Sequence, residues 1–67
     1  MKATEKQLKT IKGMIVRAMY RLKCDRQTVM RSLAYSLGDW VYDFNNYTVE
    51  DANLVISALR SMMGESE

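Results

Sequence analysis

Residues 4–22 read TEKQLKTIKGMIVRAMYRL, and this stretch decides the fold. Thr4 followed three residues later by Gln7 is a capping-box start, in which each residue satisfies the other's free backbone N–H. Leu8, Ile11, Ile15, Met19 and Leu22 then recur at helical spacing and form one apolar stripe. Lys6, Lys9, Arg17 and Arg21 fall away from that stripe. Gly13 interrupts the helix at a cost of about 1 kcal/mol relative to alanine. The pattern predicts a helix over about residues 5–22.

Outward from it, Lys23-Cys24-Asp25 is a turn, and Asp25 is a good N-cap whose charge suits the positive end of a helix. Val29, Leu33 and Leu37 form the inner stripe of a second helix, about 26–37, with Met30 and Ala34 at its border. Gly38 is placed to end it in the left-handed conformation. Residues 39–47 are a connection rich in aromatics, and Trp40, Val41 and Phe44 are expected to plug the open end of a bundle. Asp39 to Asp43 fits a short helical turn. Thr48 caps a third helix, about 49–63, with Glu50 and Asp51 in its first turn. Val49, Ala52, Val55, Ile56, Leu59 and Met63 face inward and Leu54 points off that face. Gly64 stops the helix, and residues 65–67 are expected to fray. The fold class is therefore all-α: a compact three-helix bundle forming one domain over 1–67.

With 67 residues the chain has room for one small core, and Cys24, its one cysteine, makes no disulfide. A lone cysteine and no signal-like N-terminus point to a reducing cytoplasm. No apolar run approaches the roughly 20 residues that span a bilayer. Histidine is absent, so a conventional zinc site lacks ligands. No cofactor or catalytic constellation is visible. Asp39 and Asp43 share a face if helical, yet have no partnering histidine, nucleophilic lysine or glycine-rich loop, and read as capping and solubility charges.

Charge is the strongest functional signal. Residues 1–31 hold nine Lys/Arg against Glu5 and Asp25, a net of +7. Residues 32–67 hold Arg60 against six acidic residues, a net of −5. A basic lobe of this density is a candidate footprint for phosphates, with Lys9, Lys12, Arg17, Arg21 and Lys23 as the contacts. The alternative is a solvated face that balances the acidic half across the bundle, and the phosphate reading fails if carboxylates of the closing segment neutralise these cations. Gln27, Thr28, Arg31 and Tyr35 share the outer face of the second helix and suit base reading or stacking. Tyr35 half-buried beneath a stacked Arg31 is the plainer reading. Met14, at the border of the first stripe, and Leu54 are candidate partner contacts, whereas core filling accounts for most other methionines.

Residues 22–33 resemble the turn and second helix of helix-turn-helix proteins, through Leu22, Cys24, Arg26, Thr28-Val29, Arg31 and Leu33. Lys23 stands where that family usually has glycine, and lysine tolerates the left-handed conformation poorly. By that resemblance the chain would be a transcriptional repressor.

A wider likeness covers residues 3–60. The opening Ala3-Thr4-Glu5-Lys6-Gln7-Leu8 and the closing Thr48-Val49-Glu50-Asp51-Ala52-Asn53-Leu54-Val55-Ile56-Ser57-Ala58-Leu59 are similar to the small helical C-terminal module of Erf-type phage single-strand annealing and recombination proteins. Thr4, Gln7, Leu8, Ile11, Asp25, Gly38, Thr48, Asp51, Ala52, Ile56 and Leu59 carry it. These are fold residues, so the resemblance transfers no catalytic group, and it does not include the annealing domain. It implies a non-enzymatic phage-type accessory module that holds DNA, single- or double-stranded, or a DNA-handling partner such as a single-strand-binding protein or nuclease, as monomer or homodimer. A pure protein-interaction module is the remaining alternative.

Overall fold

The structure is a computed structural model that describes residues 1–65. Three α-helices, α1 (Glu5–Leu22), α2 (Arg26–Leu37) and α3 (Val49–Met62), form the bundle. Two 3₁₀ turns, Asp39–Tyr42 and Phe44–Asn46, fill the connection before α3. Local chemistry sets the helix starts. The Thr4 hydroxyl accepts the Gln7 amide at 3.1 Å while the Gln7 side chain accepts the Thr4 amide at 3.0 Å. Thr48 and Asp51 repeat the exchange at 2.9 and 3.0 Å. Asp25 accepts the Thr28 amide at 2.8 Å. Each of the two threonine caps is worth about 1 kcal/mol. The third helix stops one residue before its expected end: Met63 serves as its C-cap, and Gly64 follows at φ 73°. Ser66 and Glu67 of the expected frayed tail lie outside the described residues.

Gln7 donates to Asn53 at 3.3 Å, and Ala3 and Met1 pair with Tyr47 and Val49. The first turn of α1 thus lies beside the first turn of α3. At the far end, Glu65, just past α3, reaches Arg17 and Arg21. Hence α1 and α3 run in the same direction.

The core takes Ile11, Ile15 and Ala18 from α1, Val29 and Leu33 from α2, and Ala52, Val55 and Leu59 from α3, all buried. On α1 the buried face is turned from the expected stripe. Met14 is only 6% exposed and belongs to the core, so its placement as a border residue available to a partner is corrected. Met14 lies two turns after Gln7, on the side that meets α3, and a helix covered by two neighbours buries a wider face than one stripe. Leu22, expected in the stripe, is instead 43% exposed beside the turn.

The connection packs more tightly than its polarity suggests. Val41 is fully buried, and Trp40 and Phe44 pack partly buried against the core. Its centre is Tyr47, 2% exposed, whose hydroxyl donates to the Val41 carbonyl at 2.6 Å. Trp40 meets its ring edge-on at 5.6 Å and Phe44 lies at 5.0 Å. The Trp40 indole N–H donates to Leu37 O at 2.8 Å, ending α2. Gly38 does not adopt the expected left-handed helical conformation: it sits at φ 119°, ψ 166°. That region is essentially restricted to glycine. A Cβ there would also stand 3.1 Å from the Trp40 ring, so the glycine admits both the bend and the indole.

Burial raises the Tyr47 pKa, with the Asp51 charge adding to it, so the neutral donor form is favoured. Tyr47→Phe leaves the Val41 carbonyl buried without its partner, which costs about 1–3 kcal/mol. Thermal unfolding followed by circular dichroism is expected to show Tm lowered by at least about 4 °C. An unchanged Tm would contradict the role given to this bond.

Candidate nucleic-acid interface

Helical spacing divides the outer face of α1 into two stripes. Lys9, Lys12, Val16 and Tyr20 form one, and Lys6, Thr10, Arg17 and Arg21 form the other. The second stripe does not stand free. Arg17 Nη1 lies 3.3 Å and Arg21 Nη1 3.5 Å from the same oxygen, Oε2 of Glu65. Two of the five cations expected on phosphates are therefore paired by a carboxylate of the closing segment, which corrects the expectation that all five are free. The reason is the common direction of α1 and α3, which brings residue 65 beside residues 17 and 21.

On the first stripe, Lys12 Nζ lies 5.4 Å from the Phe44 ring centre, within cation–π range. The Lys12 side chain is otherwise exposed. Lys9, Lys23, Arg26 and Arg31 are exposed and have no ion-pair partner among the described residues. Val16 and Tyr20, which the sequence reading left unassigned, are 48% and 81% exposed. Their four-residue spacing outside the apolar stripe was the signal for them. With Met19 and Cys24 they line a shallow concavity.

The turn into α2 passes through a left-handed residue although that residue is a lysine. Lys23 adopts φ 53°, ψ 51°, and the Lys23 and Cys24 amides both donate to Met19 O. This ties off the end of α1 and holds the Lys23 side chain at the corner. Asp25 then starts α2. Hydrogen bonds from Thr28 hold the Asp25 carboxyl below its ordinary value, with Arg31 adding to the effect.

Gln27, Thr28, Arg31 and Tyr35 all lie on the exposed face of α2. Tyr35 is 94% exposed, which removes the reading of a tyrosine half-buried under arginine. Thr28, Arg31 and Tyr35 line a shallow concavity with Ser32 and Ser36. On α3, Leu54 is 51% exposed, as its position off the inner face required. Asp43, read as a capping charge, precedes the second 3₁₀ turn without a side-chain cap bond and instead accepts the Asn46 side-chain amide at 2.8 Å. Among the described residues no group of three His, Cys, Asp or Glu side chains could hold a metal, and no helix is long and apolar enough to cross a membrane. No family model matches the sequence, and neither a curated protein nor a solved structure matches the chain.

Lys23→Gly removes the steric cost of the left-handed residue, and urea unfolding is expected to show a gain of roughly 0.5–1 kcal/mol; a loss would contradict the turn geometry. Because the folded Asp25 pKa is depressed, its contribution to stability is complete above the unfolded carboxyl value and fades as pH falls through the lower folded one. Asp25→Asn keeps a cap but cannot titrate. The variant's stability should fall less steeply than the parent's on acidification, and parallel acid profiles would exclude this linkage.

Proposed function

We propose that this domain is a non-enzymatic module that binds nucleic acid through its basic half. Lys9, Lys12 and Lys23 contact phosphates. Gln27, Thr28 and Arg31 add orientation, and Tyr35 supplies a stacking platform. The observation that carries this reading is the state of the cations: of the nine in residues 1–31, all but Arg17 and Arg21 lack an ion-pair partner among the described residues. Exposed Tyr20 within that half, and Tyr35 one turn beyond Arg31 on α2, add the aromatic surface that single strands use, at about 1–3 kcal/mol per stacked base. The likeness to Erf-type modules supports a phage-type accessory role beside a DNA recombination or replication protein.

A helix-turn-helix repressor is the second reading, favoured by the left-handed Lys23 and the exposed Gln27–Tyr35 face. Strong preference for one palindromic duplex over random DNA would select it. If the partner is instead a DNA-handling protein met through Leu54 and α3, charge reversal at Lys9 leaves its capture intact.

Fluorescence anisotropy with oligo-dT and with random duplex is the test. Binding at low salt is expected to weaken with a log–log slope of about −0.7 (single strand) to −0.9 (duplex) per phosphate neutralised. Lys9→Glu and Lys23→Glu should each flatten that slope by at least about one phosphate's share. Tyr35→Ala should weaken oligo-dT binding by about 1–3 kcal/mol. No binding to either probe at low salt overturns the proposal.

A further inference from the structure

The pairing of Arg17 and Arg21 with Glu65 has an unusual form. Both guanidinium groups approach one oxygen, Oε2, at 3.3 and 3.5 Å. Two cations four residues apart on one helix face converge on a single oxyanion, which is the arrangement a phosphate oxygen would meet. The backbone that carries the carboxylate is fixed at the end of α3: the Glu65 amide donates to Arg60 O at 2.9 Å, and Gly64 at φ 73° turns the chain out of the helix. The contact is also weak. The arginine side chains are 56% and 52% exposed, and an ion pair at such a surface shifts an equilibrium by no more than roughly five-fold.

We infer that Arg17 and Arg21 form a phosphate-binding site which Glu65 occupies in cis as a displaceable carboxylate mimic. The site rests on the nucleic-acid reading only for the identity of its ligand; its existence depends on the convergence of the two guanidiniums. In the free protein Glu65 cancels one of the two charges. When a phosphate arrives, the carboxylate leaves for water, no covalent bond changes, and both arginines turn to the incoming oxygen. The tail thereby attenuates the basic face and raises its threshold for weakly charged ligands.

The test uses inorganic tripolyphosphate as probe, with the Arg Nε–Hε resonances of the full chain followed by NMR. Glu65→Gln is expected to bind it about two- to five-fold more tightly than the parent, with the largest shifts at Arg17 and Arg21. Adding Arg17→Gln and Arg21→Gln to Glu65→Gln should abolish that gain. Equal affinity of parent and Glu65→Gln, shifts centred elsewhere, or no binding to either protein overturns the site. A parallel titration with oligo-dT separates the two sources of phosphate. Glu65→Gln should steepen its salt slope by about one phosphate's share. If tripolyphosphate binds as expected and oligo-dT does not bind at all, the site stands and the nucleic-acid reading falls.

Discussion

The hydrogen bond from the Tyr47 hydroxyl to the Val41 carbonyl is the constraint on which the rest of the arrangement depends. It lies inside the connection between α2 and α3, where the backbone turns through two short 3₁₀ segments that cannot satisfy all their own groups. Burial without that donor would leave a carbonyl unpaired; with it, the connection closes over the core as a rigid cap. Trp40 and Phe44 pack on the same tyrosine ring, and Gly38 gives the indole room to approach. Tyr47 is also where the N-terminal segment docks, through the Ala3 amide to Tyr47 O at 3.0 Å. Tyr47 thus ties the segment ahead of α1 to the segment that leads into α3.

The electrostatics follow from that registration. With α1 and α3 side by side and pointing the same way, residue 65 arrives over residues 17 and 21. A charge count alone describes a basic half and an acidic half. The structure pairs them at one place and leaves the remaining cations of residues 1–31 without ion pairs among the described residues. Exposed ion pairs of this kind contribute little to stability. Their consequence is electrostatic: Glu65 offsets charge at Arg17 and Arg21, while Lys9, Lys12 and Lys23 stay exposed without ion pairs among the described residues.

The helix bounds were legible in the sequence because caps are local. The Thr4–Gln7 box and the N-caps at Asp25 and Thr48 each act within four residues and form as read; the return bond from Thr48 to Asp51 is an addition. What depended on distant neighbours was not legible. Met14 reads as a border residue until α3 covers its side of α1. Tyr47 reads as one aromatic among four until its hydroxyl finds Val41. The Glu65 contact joins residues more than forty apart and has no local signature. Lys23 is a different case: the sequence located the strained turn, and the surrounding hydrogen bonds to Met19 explain how a lysine is held there. Exposure of Tyr35 was foreseen as one of two options, and helix geometry alone could not choose between them.

Chemical-shift mapping of the amide spectrum during titration with an oligo-dT strand reads the site directly. The account predicts perturbations concentrated at Lys9, Lys12, Lys23 and the Gln27–Tyr35 face of α2, with the outer face of α3 around Glu50 and Leu54 unmoved. Perturbations centred on Leu54, or a spectrum that does not change at low salt, would contradict it.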